Sequence, residues 1–172
     1  FGFIKCFKTT NGTVLTSGTT PAFTQISLGS ANGAYYDAFN NYVYGMGSTL
    51  NRYNTDGTGG QAITFSPSTN TATPGAMVML DATTALVSFQ SYGVKKYNIS
   101  GTTFTLDTSW ATSGILSPAS CSYPFSLAVT GSTLYVKCGF IGPNTVKKYN
   151  LSDGSVDMGG ASNWTTIPGL YH

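Results

Sequence analysis

Charge is what this chain has least of. Only 8 of its 172 residues are Lys or Arg and 6 are Asp or Glu, 8% in all, where an average soluble domain carries about 25%. The net charge is +2 and the basic residues form no stripe, so the counterion release that drives nucleic-acid capture has little to act on. Long apolar runs are missing too. No stretch approaches the roughly 20 apolar residues of a membrane-spanning helix, and no basic segment precedes an apolar one as in a secretion signal. The chain opens on Phe1 rather than Met, which fits a processed protein or a piece of a longer one.

The residues that carry most catalysis are also scarce. His172 is the single histidine and, as the last residue, would be poorly held for proton transfer. The six acids are Asp37, Asp56, Asp81, Asp107, Asp153 and Asp157. They are scattered, without the paired carboxylates of glycoside hydrolysis or the spaced ligands of a calcium loop. Asp56 and Asp153 fall in turns, where a bond to backbone amides accounts for them. No Cys/His spacing suggests zinc. Gly57-Thr58-Gly59-Gly60 and Gly159-Gly160 lack the following helix and lysine of a phosphate loop and read as turns. The expectation is a non-catalytic protein with no metal and no cofactor.

What is present is material for sheets. The hydrophobic fraction is 41%, with 10 Phe, 11 Tyr, 2 Trp and 21 Gly. That is enough to bury a core in one domain, which at this length removes roughly two-thirds of its surface from water. No segment shows helical periodicity with caps, and the Gly, Thr and Asn content opposes helix. Short apolar runs separated by polar turns predict an all-β fold.

The runs repeat. Ile4-Lys5-Cys6-Phe7, Leu50-Asn51-Arg52-Tyr53, Val94-Lys95-Lys96-Tyr97 and Val146-Lys147-Lys148-Tyr149 each lead into a polar turn with glycine. Their aromatic anchors lie 46, 44 and 52 residues apart, the length of one four-stranded propeller blade at about 40 to 50 residues. Each full copy has a hairpin before the anchor. These are Tyr35-Tyr36 with Tyr42-Val43-Tyr44, Met77 to Leu80 with Leu86-Val87, and Leu127-Ala128-Val129 with Leu134-Tyr135-Val136. A last strand follows each glycine turn, as at Phe104-Thr105-Leu106 and Val156-Asp157-Met158.

The block Gly131 to Val136, followed by Asn144-Thr145-Val146-Lys147-Lys148-Tyr149 and Asp153-Gly154, resembles the blade repeat of NHL-type and YVTN-type β-propellers. The resemblance runs along nearly the whole chain and implies a fold rather than an activity. It predicts about three and a half four-stranded antiparallel blades. Residues 1–19 form a half blade, 20–66, 67–117 and 118–165 full blades, and 166–172 the start of the next. Propellers close with about four to eight blades, so an incomplete ring is expected, either an excerpt of a longer propeller or a unit completed by self-association or a partner. An open end exposes a sheet edge that invites strand addition.

Cys121 and Cys138 flank the hairpin about Gly131-Ser132, which makes a disulfide between them a candidate and an oxidising compartment the corresponding setting. Two buried thiols are the alternative. Cys6 is left over. Four glycosylation sequons begin at Asn11, Asn98, Asn150 and Asn163. Chance predicts about three, but Asn11, Asn98 and Asn150 recur at or beside the same turn. Tyr53, Tyr97 and Tyr149, with Trp110 and Trp164, either pack between sheets while the adjacent cations solubilise the strand edge, or stack on sugar. The expected protein is therefore a secreted or cell-surface structural module serving a coat, adhesion or filament. A carbohydrate-binding lectin-like propeller is the alternative.

Overall fold

The computed structural model describes residues 2–4, 26–29, 33–68, 73–116, 121, 123–139 and 145–157. Every regular element among them is a strand. β1 (Gly2–Ile4) and β2 (Ile26–Gly29) form an antiparallel pair. Sheet I is the antiparallel series β3 (Gly33–Asp37), β4 (Tyr42–Met46), β5 (Leu50–Asn54) and β6 (Gln61–Ala62).

Sheet II carries β8 (Pro74–Asp81), β9 (Thr84–Phe89), β10 (Gly93–Ser100) and β11 (Thr103–Leu106) in antiparallel order. Two short strands join it. β7 (Thr64–Ser66) runs parallel to β11 at its outer edge, and β12 (Ile115–Leu116) pairs with β10. Sheet III comprises β13 (Pro124–Thr130), β14 (Thr133–Cys138) and β15 (Thr145–Asn150), and an antiparallel bridge joins Tyr149 to Val156, the start of the expected last strand, whose Met158 lies outside the described residues.

The turns follow from side chains that bond their own backbone. Asp81 Oδ1 accepts the N–H of Thr83 at 2.7 Å between β8 and β9, and Asp153 Oδ1 accepts that of Ser155 at 2.9 Å after β15. Gly101 and Gly131 sit at φ +61° and +56° with open space around them. Backbone conformation, not crowding, calls for glycine there.

Alternation explains why sheet II is apolar on both sides. Along β9, Ala85, Val87 and Phe89 enter one core with Met77, Met79, Tyr97 and Phe104 of the same sheet and Tyr44, Met46 and Leu50 of sheet I. Leu86 points the other way, into a second core with Val94, Trp110, Leu134, Val136 and Tyr149, the last three from sheet III. Successive strand residues face opposite sides, so a sheet covered on both faces reads as a continuous apolar run. The three sheets are thus stacked face to face with sheet II in the middle.

The stack is tightest along one side. The edge strands β3, β8 and β13 lie side by side, with β8 between the other two. Between β8 and β13, a Cβ on Gly75 would lie 3.0 Å from the Pro124 carbonyl oxygen and 3.1 Å from Ser88 Oγ.

One sequence boundary is corrected. Thr64–Ser66, expected to close the 20–66 unit, lies on sheet II, so the division after residue 66 cuts through a sheet. The reason is Phe65. Its ring packs on Phe89, Tyr97 and Phe104 at centroid distances of 5.3, 5.0 and 5.7 Å, an aromatic cluster that outweighs continued pairing with β5.

Candidate functional site

The recurring cation before each anchor tyrosine builds the same brace in all three sheets. Arg52, Lys96 and Lys148 occupy equivalent places on β5, β10 and β15 and reach across to the segment after the next turn. Arg52 Nη2 donates to Gln61 Oε1 at 2.6 Å. Lys96 Nζ lies 3.1 Å from Asp107 Oδ2, and Lys148 Nζ 3.5 Å from Asp157 Oδ2. Arg52 does more, because its Nη1 donates to the Gly101 carbonyl at 2.8 Å and its guanidinium lies 4.3 Å from the centre of the Tyr42 ring. That links sheet I to the β10–β11 turn of sheet II, a geometry suited to the planar fork of arginine. Beyond solubilising an edge, these cations tie strands and sheets together.

The anchor aromatics follow the packing reading. Tyr97, Tyr149 and Trp110 are each only 1% exposed, so their faces are covered and the sugar-stacking expectation fails for all three. Trp110 also donates its indole N–H to the Leu151 carbonyl at 2.8 Å, joining the segment after β11 to the turn after β15. Tyr53 is half-buried and alternates with residues that face sheet II, so it points away from that sheet.

Burial pushes the Tyr44 and Tyr149 phenols up to about 12, with the carboxylate of Asp37 adding to the effect at Tyr44, and pushes Tyr97 higher still. Lys95, half-buried with its amine 5.3 Å from the Phe89 ring centre, is pushed down by burial. Asp56, Asp81, Asp107 and Asp153 are held below the ordinary carboxylate value, chiefly by hydrogen bonds from Thr58, Thr83, Ser109 and Ser155 respectively. These carboxylates serve as turn acceptors. Among the described residues, no group of three or more His, Cys, Asp or Glu is placed to hold a metal ion.

Cys121 and Cys138 are joined by a disulfide with Cα atoms 5.2 Å apart, closing a sequence separation of 17 residues and buried against the second core. Asn98 on β10 and Asn150 at the end of β15 are both exposed. Cys6, Asn11, Asn163, Trp164 and His172 lie outside the described residues.

Sequence reasoning missed the exposed rings. Tyr36 and Phe39, at the tip of the β3–β4 hairpin, are 56% and 57% exposed. The tip is held firmly. The fully buried Asp37 accepts the N–H groups of Phe39 and Asn40 at 3.0 and 3.1 Å and Asn40 Nδ2 at 2.9 Å. Asn40 Nδ2 also donates to the Ala82 carbonyl of the next sheet, at 2.9 Å. Tyr36 Oη donates to Asn41 Oδ1 at 2.9 Å. The available signal was Phe39 itself, an apolar residue inside an Asp-Ala-Phe-Asn-Asn turn.

No protein-family model matches the chain, and no curated protein does. Solved structures do. The computationally designed protein Ika8 is similar with a TM-score of 0.52 and 13% identity over 90% of this chain and 42% of its own. The extracellular domain of a putative hybrid two-component system from B. thetaiotaomicron is similar with a TM-score of 0.54 and 16% identity over 83% of this chain and 20% of its own. The likeness is one of fold, and the chain spans less than half the length of either.

Proposed function

We propose that these residues form a segment of an extracellular β-propeller with a non-catalytic structural or interaction role, in a surface coat, an adhesion layer or a filament. One observation carries the reading: three successive sheets stack face to face and crowd together along β3, β8 and β13. Antiparallel sheets repeated in sequence, each packed on the next with the first strands side by side, suit radial blades. The covalent link at Cys121–Cys138 suits an oxidising, extracellular setting, as does the origin of one similar structure. The braces of Arg52, Lys96 and Lys148 and the Asp-led turns hold strands in place, which suits a scaffold.

The test is the mass of the purified native material after N-glycan removal, by light scattering. The expected result is either a chain much heavier than 18.0 kDa or a particle assembled from such units. A lone monomer of 18.0 kDa would overturn the reading.

A further inference from the structure

The β3–β4 hairpin tip combines exposed rings, rigidity and neutrality. Tyr36 and Phe39 present more than half of their surface to water, while three hydrogen bonds to Asp37 and one from Asn40 to Ala82 fix the backbone that carries them. The tip therefore pays little ordering entropy on binding. Its only ionisable acid is fully buried and spent on those bonds, so the surface on offer is uncharged.

Size and polarity narrow the partner. Two half-exposed rings offer at most about 300 Å², because a fully covered aromatic contributes only ~150–250 Å². A stable protein interface needs about 800 Å² from each side. An aliphatic ligand would want a concave apolar pocket, and this tip is a projecting turn edged with amides. Because Tyr36 Oη donates to Asn41 Oδ1, its lone pairs remain to accept, and Nδ2 of that same exposed amide remains to donate. An acceptor and a donor side by side match neighbouring hydroxyls on a sugar ring, whose C–H face packs on an aromatic face.

We propose that the β3–β4 hairpin tip binds neutral carbohydrate, with a pyranose ring stacked on Tyr36 or Phe39 and its hydroxyls met by Tyr36 Oη and Asn41 Nδ2. This goes beyond the structural role and uses none of the buried anchor aromatics.

The experiment titrates the full ¹⁵N-labelled chain with methyl α-mannopyranoside, methyl β-glucopyranoside, cellotriose and chitotriose, each up to about 10 mM, above the millimolar range of a weak contact. The expected result is amide shifts confined to residues 36–41 with at least one saccharide. Tyr36→Ser combined with Phe39→Ser weakens that binding about tenfold or more and leaves the unfolding midpoint unchanged, whereas Phe39→Tyr retains it. Silence at the tip with all four saccharides overturns the proposal. So do shifts centred elsewhere, binding that survives the double substitution, or tip shifts that follow protein concentration without sugar, since these last would make the tip a contact between copies.

Discussion

The backbone N–H of Met79 donates to the phenol oxygen of Tyr35 at 3.1 Å. Met79 lies on β8, the edge of sheet II, and Tyr35 on β3, the edge of sheet I. An edge strand leaves half of its backbone groups without a ladder partner, and here the neighbouring sheet supplies one. Tyr35→Phe keeps the ring and removes the acceptor. It is expected to cost about 1–3 kcal/mol, the penalty of a stranded buried donor, read from urea unfolding, with the Met79 amide exchanging faster.

Trp110 makes the corresponding link between sheets II and III. Trp110→Ala removes the largest fully buried side chain among the described residues and the bond to Leu151, and is expected to cost about 3–5 kcal/mol. Trp110→Phe should recover part of that loss, because it restores packing without the indole donor. Equal losses in the two variants would mean that the ring volume contributes little.

Reducing the Cys121–Cys138 disulfide should lower stability by about 3 kcal/mol, the loop-closure value for a separation of this size. The check is the urea midpoint with and without reductant, in parallel with the Cys121→Ala/Cys138→Ala double variant, which should become insensitive to reductant.

Acid and alkali should act through different groups. Asp56, Asp81, Asp107 and Asp153 have folded values below their unfolded 3.8. Near that pH the unfolded chain binds more protons, so their stabilisation is complete above about pH 5 and fades as pH falls below about 4. For Tyr44 and Tyr149 the folded value is raised from 10.0 to about 12. Their contribution is complete below pH 10 and declines as pH climbs towards 12, because the unfolded chain ionises first. Lys95, pushed down by burial, acts in the opposite sense at alkaline pH. Unfolding midpoints measured across both windows check the signs.

Gly75 should not tolerate a side chain. Gly75→Val would press on the Pro124 carbonyl and Ser88 Oγ and force β8 and β13 apart, at about 1–3 kcal/mol. Gly101→Ala, in open space but at positive φ, tests strain without crowding.

Local chemistry made much of this legible. The three hairpins could be read because alternation and Asp-, Asn- or Gly-bearing turns are encoded within a few residues, and the hairpin about Gly131 brought Cys121 close to Cys138. The route of β7 could not be read. Thr64–Ser66 resembles the end of one unit, and only the distant rings of Phe89, Tyr97 and Phe104 draw it to the next sheet. The fate of each tyrosine was hidden for a related reason. Tyr53 and Tyr97 are the same residue type at equivalent places on β5 and β10, but Tyr97 packs into the core shared with sheet I and is buried, whereas Tyr53 points away from sheet II and stays half-buried. Identical residues on successive copies therefore carry different roles.

The most direct test of the central claim is electron microscopy of the deglycosylated native material, with class averages resolved well enough to separate sheets. The account predicts wedge-shaped sheets arranged about an axis, with β3, β8 and β13 innermost. A closed two-layer sandwich, or sheets stacked without convergence along those strands, would contradict it.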